Sequence, residues 1–201
     1  MNATSNRTVT ANISLSLDGR VNGPGGDYDM GWIAPHAVTD EARDHMMAVT
    51  SPATTALLGR KNHDGFGGFW PGVADDPAAD PRDRAFSRWL NQTEKVVVST
   101  TITESPWAGT RVTSDDPATV VAGLRQQPGG DIVVLASVSV IRALLAADEV
   151  DRLSITLCPE TVGGGARLFD DGTTLPAGSW TLTSSTPTSS GALCLLYDRT
   201  R

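Results

Sequence analysis

The chain predicts an α/β protein with a mostly parallel sheet and an antiparallel C-terminal edge. Three observations carry this expectation. Short apolar, β-branched runs alternate with stretches of helical spacing. The run Ile132–Leu135 passes through the small residues Ala136-Ser137-Val138-Ser139 into an amphipathic stretch, Val140 to Ala147. The chain then closes with two strand-like runs that have no helix between them.

The elements follow in order. Thr8 to Leu17 places Val9, Ala11, Ile13, Leu15 and Leu17 on one face and reads as a first strand. Asp18-Gly19 breaks it. Gly19 to Gly31 holds five glycines and Pro24, too flexible for an element and too long for an idle turn. Thr39 to Val49 reads as a helix capped by Thr39, with Ala42, Met46 and Val49 at helical spacing. Ala56-Leu57-Leu58 is a short buried strand running into Gly59-Arg60-Lys61-Asn62. Gly65 to Pro71 is aromatic and glycine-rich, Val73 to Arg84 reads as an acidic loop, and Ala85 to Asn91 as a short helix. Strands are expected over Lys95–Thr100, Arg111–Thr113 and Leu153–Leu157, and a helix over Pro117–Gln126. Trp180–Thr183 and Ala192–Tyr197 read as the closing antiparallel pair.

The 201 residues suffice for one good-sized domain, and no linker or repeat divides them. A net charge of −7 with scattered Lys and Arg argues against nucleic-acid binding, which needs clustered positive charge. No apolar run reaches membrane-spanning length. Met1 to Arg7 is polar, without a signal peptide's apolar core, so a disordered tail over residues 1–7 and a cytoplasmic location are expected. Cys158 and Cys194 fall in apolar runs and read as buried thiols rather than a disulfide. His36, His45 and His63 show no metal-ligand spacing with either cysteine, so no metal is expected.

A strand that runs through small side chains into a helix leaves backbone N–H groups free at the helix start, and these attract phosphate. The segment Ile132–Ala147 has this form. Taken with it, "SLSLDGRV" (Ser14–Val21), "LLGRKN" (Leu57–Asn62), "KVVVST" (Lys95–Thr100) and "RLSITLCPETVGGGARLF" (Arg152–Phe169) resemble the dihydrofolate reductase-like family. The likeness is to the branch related to the C-terminal reductase domain of riboflavin biosynthesis enzymes, and it runs from about Thr8 to Arg199.

The resemblance implies a three-layer fold with NADPH across the C-terminal strand ends. It also implies hydride transfer to a C=N or C=O bond of a pterin, pyrimidine or similar small molecule, in a homodimer. Gly59, Arg60, Lys61 and Asn62 would then hold cofactor phosphates, with Arg60 suited to the adenosine 2′-phosphate. Ser99, Thr100 and Thr101 would offer hydroxyls to the cofactor, or else satisfy their own strand end. Ala136, Ser137, Val138 and Ser139 stand where the family keeps a glycine-rich turn against the pyrophosphate, with Ser139 able to cap the helix. Asp18 and the loop to Gly31 match the family's nicotinamide-covering loop, with Gly19 and Asn22 assigned to the cofactor.

Asp18 is either a substrate contact or a turn residue bonding its own backbone. Asp40 and Asp44 lie near the position of a family carboxylate that faces the substrate, and either is equally explained as a helix first-turn acid. Asp40 and water are the candidate proton donors. Thr156 and Pro159 would wall the substrate, with Gly163 and Gly164 approaching the cofactor closely, and Trp32 would stack on the substrate or pack in the core. Two other function classes stay open: a non-catalytic nucleotide-, flavin- or pterin-binding protein using the same cleft, and an accessory subunit with a vestigial cleft.

Overall fold

The computed structural model describes residues 7–169, 172 and 174–201. An eight-stranded sheet has the order β4-β3-β2-β5-β1-β6-β8-β7. Its strands are β1 (Val9–Ser16), β2 (Ala53–Gly59), β3 (Glu94–Val98), β4 (Thr110–Thr113), β5 (Asp131–Leu135), β6 (Arg152–Cys158), β7 (Ser179–Pro187) and β8 (Leu193–Thr200). All neighbours from β4 to β6 are parallel; β8 pairs antiparallel with both β6 and β7. The α/β class, the parallel sheet and the antiparallel edge are as expected.

Among the described residues six α-helices complete the fold: α1 (Ala34–Ala37), α2 (Asp40–Thr50), α3 (Arg60–Val73), α4 (Pro81–Gln92), α5 (Pro117–Arg125) and α6 (Val138–Ala146). Alternation along the buried strands divides the core into two layers. Leu57, Val96, Ile132 and Val134 pack with α5 and α6 on one face. Ala56, Leu58, Val97, Val133 and Leu135 pack with α2, α3 and α4 on the other. Burial of both faces explains the continuous apolar runs of β2, β3 and β5. β1 differs: Val9, Ala11, Ile13 and Leu15 enter the first core, while Thr10, Asn12, Ser14 and Ser16 occupy the alternate positions, towards α2.

Two helices depart from the sequence reading. Gly65–Pro71 lies within α3 despite four glycines and Pro71 in that helix. Phe66 and Trp70 anchor it, Trp70 edge-on to Phe86 of α4 at 4.6 Å between centroids. Gly67 lets the helix lie close to Trp107, since a Cβ there would meet the ring at a tight 3.3 Å. α4 begins at Pro81, because Asp80 caps it by accepting from the Arg82 N–H at 2.8 Å and Pro81 suits the first helical turn. The acidic loop is therefore shorter than expected.

The tail expected over residues 1–7 lies outside the described residues except for Arg7, which is buried. Its guanidinium donates to the Gly130 carbonyl at 2.6 Å, the Leu124 carbonyl at 3.1 Å and Thr55 Oγ1 at 2.6 Å. Arg7 is thus part of the folded body, not of a tail. Both cysteines are free and buried, and burial raises their thiol pKa values, that of Cys158 to about 12. Among the described residues no helix is long and apolar enough to cross a membrane, and no group of three or more His, Cys, Asp or Glu is arranged to hold a metal.

Candidate active site

The sheet's order and the faces its helices take define a candidate crevice between β2 and β5. α3 leaves β2 towards one face, while α6 leaves the adjacent β5 towards the other. Helices diverging from adjacent parallel strands open a gap at the strand C-termini, the usual ligand position in such sheets.

Both helices start uncapped there. Among helices longer than one turn, α2, α4 and α5 carry side-chain caps from Thr39, Asp80 and Asp116, whereas α3 and α6 have none. The two starts are tied together. Ser137 Oγ accepts the Gly59 N–H at 2.8 Å and donates to the Leu135 carbonyl at 2.9 Å. Ala136 sits at φ 49°, a conformation glycine favours, and donates its N–H to the Asn12 carbonyl of β1 at 2.9 Å. This is the turn where the family's glycines were expected, and the backbone keeps the glycine-like form around a small side chain.

Two details of the sequence reading change here. Ser137 is only 2% exposed and its hydroxyl is used within the protein, so it shapes the turn instead of donating to a phosphate. The N-cap position of α6 falls on Ser137, which leaves Ser139 exposed in the first turn. Val138 packs against the α6-side core.

The neighbouring candidates divide. Arg60 pairs with Asp64 at 2.8 Å on the exposed first turn of α3, Lys61 pairs with Asp27 of the glycine-rich loop, and Asn62 is half-buried on the same turn. Ser99 follows β3, next to β2, but its Oγ accepts the N–H groups of Thr101 at 3.1 Å and Ile102 at 3.2 Å; Thr100 and Thr101 are exposed. Ser99 thus satisfies its own strand end.

A second cluster lies at the ends of β1 and β6. Gly19, at φ 74°, closes a tight turn from Ser16 to Arg20. Asp18 accepts from the Ser16 hydroxyl at 2.7 Å and from the N–H groups of Val162 and Gly163 at 3.0 Å each. The Ser16 hydroxyl, then the Val162 N–H, hold its carboxyl well below the usual carboxylate range. Asp18 stays ionised and is a clasp, not a proton donor. Asn22 spends its side chain similarly, accepting from Ala166 N–H at 2.7 Å and donating to the Gly26 carbonyl at 2.8 Å. The Val21 N–H donates to the Ala166 carbonyl, and Gly164 lies against Pro24. The loop expected to cover the cofactor is therefore zipped at its base to the β6–β7 connection.

Asp40 is placed away from this crevice. Its side chain is 77% exposed and pairs with Arg82, which also holds Asp44 at 3.0 Å and Asp80 at 3.0 Å. It is the first-turn acid of α2, paired outward with Arg82 of α4. The face of α2 that meets β6 and β8 carries instead Glu41 and His45. Glu41 accepts from the Ser189 N–H and Oγ at 3.2 and 3.3 Å. Its own backbone N–H, then that of Ser189, lowers its carboxyl pKa. His45 Nε2 lies 2.8 Å from Ser154 Oγ, which accepts from Asn12 Nδ2 at 2.9 Å, and burial lowers the imidazole pKa.

Thr156 is on that face, directly across from Cys194 of β8. Pro159 is exposed just past β6. Trp32, in the turn before α1, has its indole N–H buried with no partner among the described residues. Sequence reading missed Glu41, His45 and the pair His36–Glu160, bonded at 3.1 Å. Helical spacing held the signal for the first two, since residues four apart share one face.

The fold is that of the dihydrofolate reductase-like class. Residues 7–194 match the profile of the RibD C-terminal domain, and the chain belongs to that family. A protein of Shewanella sp. PV-4 assigned to riboflavin biosynthesis is similar in structure, with a TM-score of 0.70, 21% identity, and coverage of 96% of this chain and 99% of that one. A diaminohydroxyphosphoribosylaminopyrimidine deaminase/5-amino-6-(5-phosphoribosylamino)uracil reductase of Thermotoga maritima gives 0.64 and 13%, covering 96% of this chain and 57% of that one. Enterococcus faecalis dihydrofolate reductase, complexed with NADP(H) and RAB-propyl, gives 0.59 and 15%, covering 96% and 97%. No curated protein matches the sequence significantly.

Proposed function

We propose that this protein is an NADPH-dependent reductase of a small heterocyclic, pterin- or pyrimidine-like acceptor. One observation carries the reading: two uncapped helix starts, joined through Gly59 and Ser137, meet at the crevice of a RibD C-terminal domain fold. The residues present fit a dinucleotide phosphate. Free N–H groups at both starts supply donors and positive dipole ends, Gly59 has no side chain to block approach, and Arg60 can leave the exposed Asp64 for a phosphate.

Bound NADPH would supply a hydride, which adds with its electron pair to the carbon of a C=N or C=O bond while the heteroatom gains a proton. The chain's part is to hold and to shield. The cradle fixes the cofactor's phosphates, and the clasped loop after β1 keeps water from the strand ends. Asp18 has its carboxyl held ionised and Asp40 pairs outward with Arg82, which favours an ordered water over either carboxyl as the proton donor.

Fluorescence titration with NADPH, followed by loss of its absorbance with pterin, ribosylaminopyrimidine and imine acceptors, tests this. Binding without consumption would identify a binding protein, and absence of binding an accessory subunit. We also read the chain as one domain acting as a cytoplasmic homodimer; light scattering on the purified protein checks the dimer.

A further inference from the structure

The glycine-rich loop between β1 and α1 crosses the candidate crevice. Its base is fixed beside the ends of β1 and β6, where Asp18 accepts the Val162 N–H and Asn22 the Ala166 N–H. Its tip lies on α3, the helix that leaves β2. The sheet runs β2-β5-β1-β6, so a segment from β1 to the start of α3 passes the end of β5. There Ala136–Ser139 turn into α6. The crossing segment also holds its own shape. The Gly23 N–H donates to the Asp29 carbonyl at 2.7 Å and the Gly25 N–H to Asp29 Oδ2 at 2.9 Å, which closes residues 23–29 into one compact piece.

Two contacts pin the tip. Asp27 pairs with Lys61 on the first turn of α3, both side chains about half exposed. One turn further along, the Tyr28 ring lies over Gly65, where a Cβ would stand 3.8 Å from its Cε1. Residues 61 and 65 share a helix face, so the two contacts form one docking surface. Lys61 is also one of the two cations at this start of the cradle. In the free protein Asp64 holds Arg60 and Asp27 holds Lys61. The two acids differ in how they are attached. Asp64 belongs to α3 itself, whereas Asp27 arrives on the loop, so releasing Lys61 unpins the loop as it frees the cation.

Resting on the dinucleotide reading above, we propose that this loop is an autoinhibitory strap, held across the crevice of the free protein by Asp27 on Lys61 and Tyr28 on Gly65. The entering dinucleotide binds the fraction of molecules in which the latch is open. Apparent affinity then scales with that fraction, and loosening the latch raises it without any new contact to the cofactor. An exposed ion pair shifts such an equilibrium by about fivefold at most, so the latch slows entry and does not bar it. The effect belongs to association. A loop that instead clamped the bound cofactor would act on release.

The test compares wild type, Asp27→Asn and Tyr28→Ala. The first variant removes the latch charge; the second removes the ring contact and leaves every charge in place. Amide exchange over residues 22–31 of the free protein reports the strap, and stopped-flow fluorescence with NADPH separates association from release. In both variants the loop amides should exchange faster, association should rise about two- to fivefold, and release should be unchanged. Raised salt should bring the wild-type and Asp27→Asn association rates together. Faster association in one variant alone overturns the strap. In Asp27→Asn alone it would be the removal of a negative charge from the path of a phosphate, and in Tyr28→Ala alone it would show that Asp27 latches nothing. An effect confined to release, or unchanged association in both variants, overturns it too. Each of these results leaves NADPH binding and the reductase reading intact, whereas failure of all three proteins to bind NADPH defeats both.

Discussion

Removing the Ser137 hydroxyl severs the tie between the two helix starts. In Ser137→Ala, the Gly59 N–H loses its acceptor and the Leu135 carbonyl loses a donor, bonds of 2.8 and 2.9 Å at a residue 2% exposed. An orphaned buried donor costs about 1–3 kcal/mol, and a typical net hydrogen bond adds about 1 kcal/mol. The change should therefore lower stability by about 2–3 kcal/mol. For a chain of this length that is roughly 4–12 °C in Tm, read by circular dichroism. Once the spacing of the helix starts relaxes, NADPH affinity should fall about tenfold, beyond any loss of folded protein, as measured by fluorescence at a temperature where the variant is fully folded. A variant with unchanged Tm would show that the hydroxyl bears no structural load. Lowered Tm with unchanged NADPH affinity would remove the paired helix starts from the cofactor site.

Other expectations follow from single groups. Arg60→Ala should weaken NADPH by about 1–3 kcal/mol and NADH far less; equal weakening in paired titrations would separate Arg60 from the 2′-phosphate. Asp18, held below the ordinary carboxylate range first by the Ser16 hydroxyl, stabilises the fold fully above about pH 4 and loses that effect as pH falls towards its folded value. The Tm gap between wild type and Asp18→Asn should narrow from roughly pH 5 to pH 2, and a constant gap would refute the clasp. Lys95 is fully buried, donates to the Leu90 and Thr93 carbonyls at 2.9 Å each, and has its pKa lowered to about 8 by burial. Because the unfolded chain binds that proton up to about pH 10.4, stability from this group rises with pH between the two values, by about 2–3 kcal/mol. Urea unfolding at pH 7.5 and pH 10 should show this rise in wild type relative to Lys95→Met; no relative change would contradict it.

The parallel sheet was legible because strands buried on both faces are written as unbroken apolar runs, as in Ile132–Leu135 and Val96–Val98. The Thr39 cap made α2 legible too. α3 was hidden, since its glycines and Pro71 argue against helix and it is held by tertiary partners, among them Phe86, Ser87 and Trp107. Within the site, Gly59 and Ala136–Ser139 were expected together at the cofactor through the family resemblance, and the structure joins them by the Gly59 N–H bond to Ser137. The fate of individual hydroxyls and carboxylates was not legible. Ser99 took the local alternative, bonding the N–H groups of Thr101 and Ile102, but Asp18 bonds to Val162, in a segment whose nearness in space no local pattern encodes, and Asp40 is drawn outward by Arg82 from another helix.

α3 has a further consequence. Four glycines and a proline make its intrinsic preference for coil several kcal/mol stronger than that of an alanine-rich helix. Its cohesion is borrowed from α4, through Ser87 Oγ on the Trp70 carbonyl and Asn91 on the Pro71 carbonyl. One wall of the crevice is thus soft and the other, α6, firm. Amide exchange should be fastest along α3 in the free protein and slow most there when a dinucleotide seats, so part of the binding energy is spent freezing a helix.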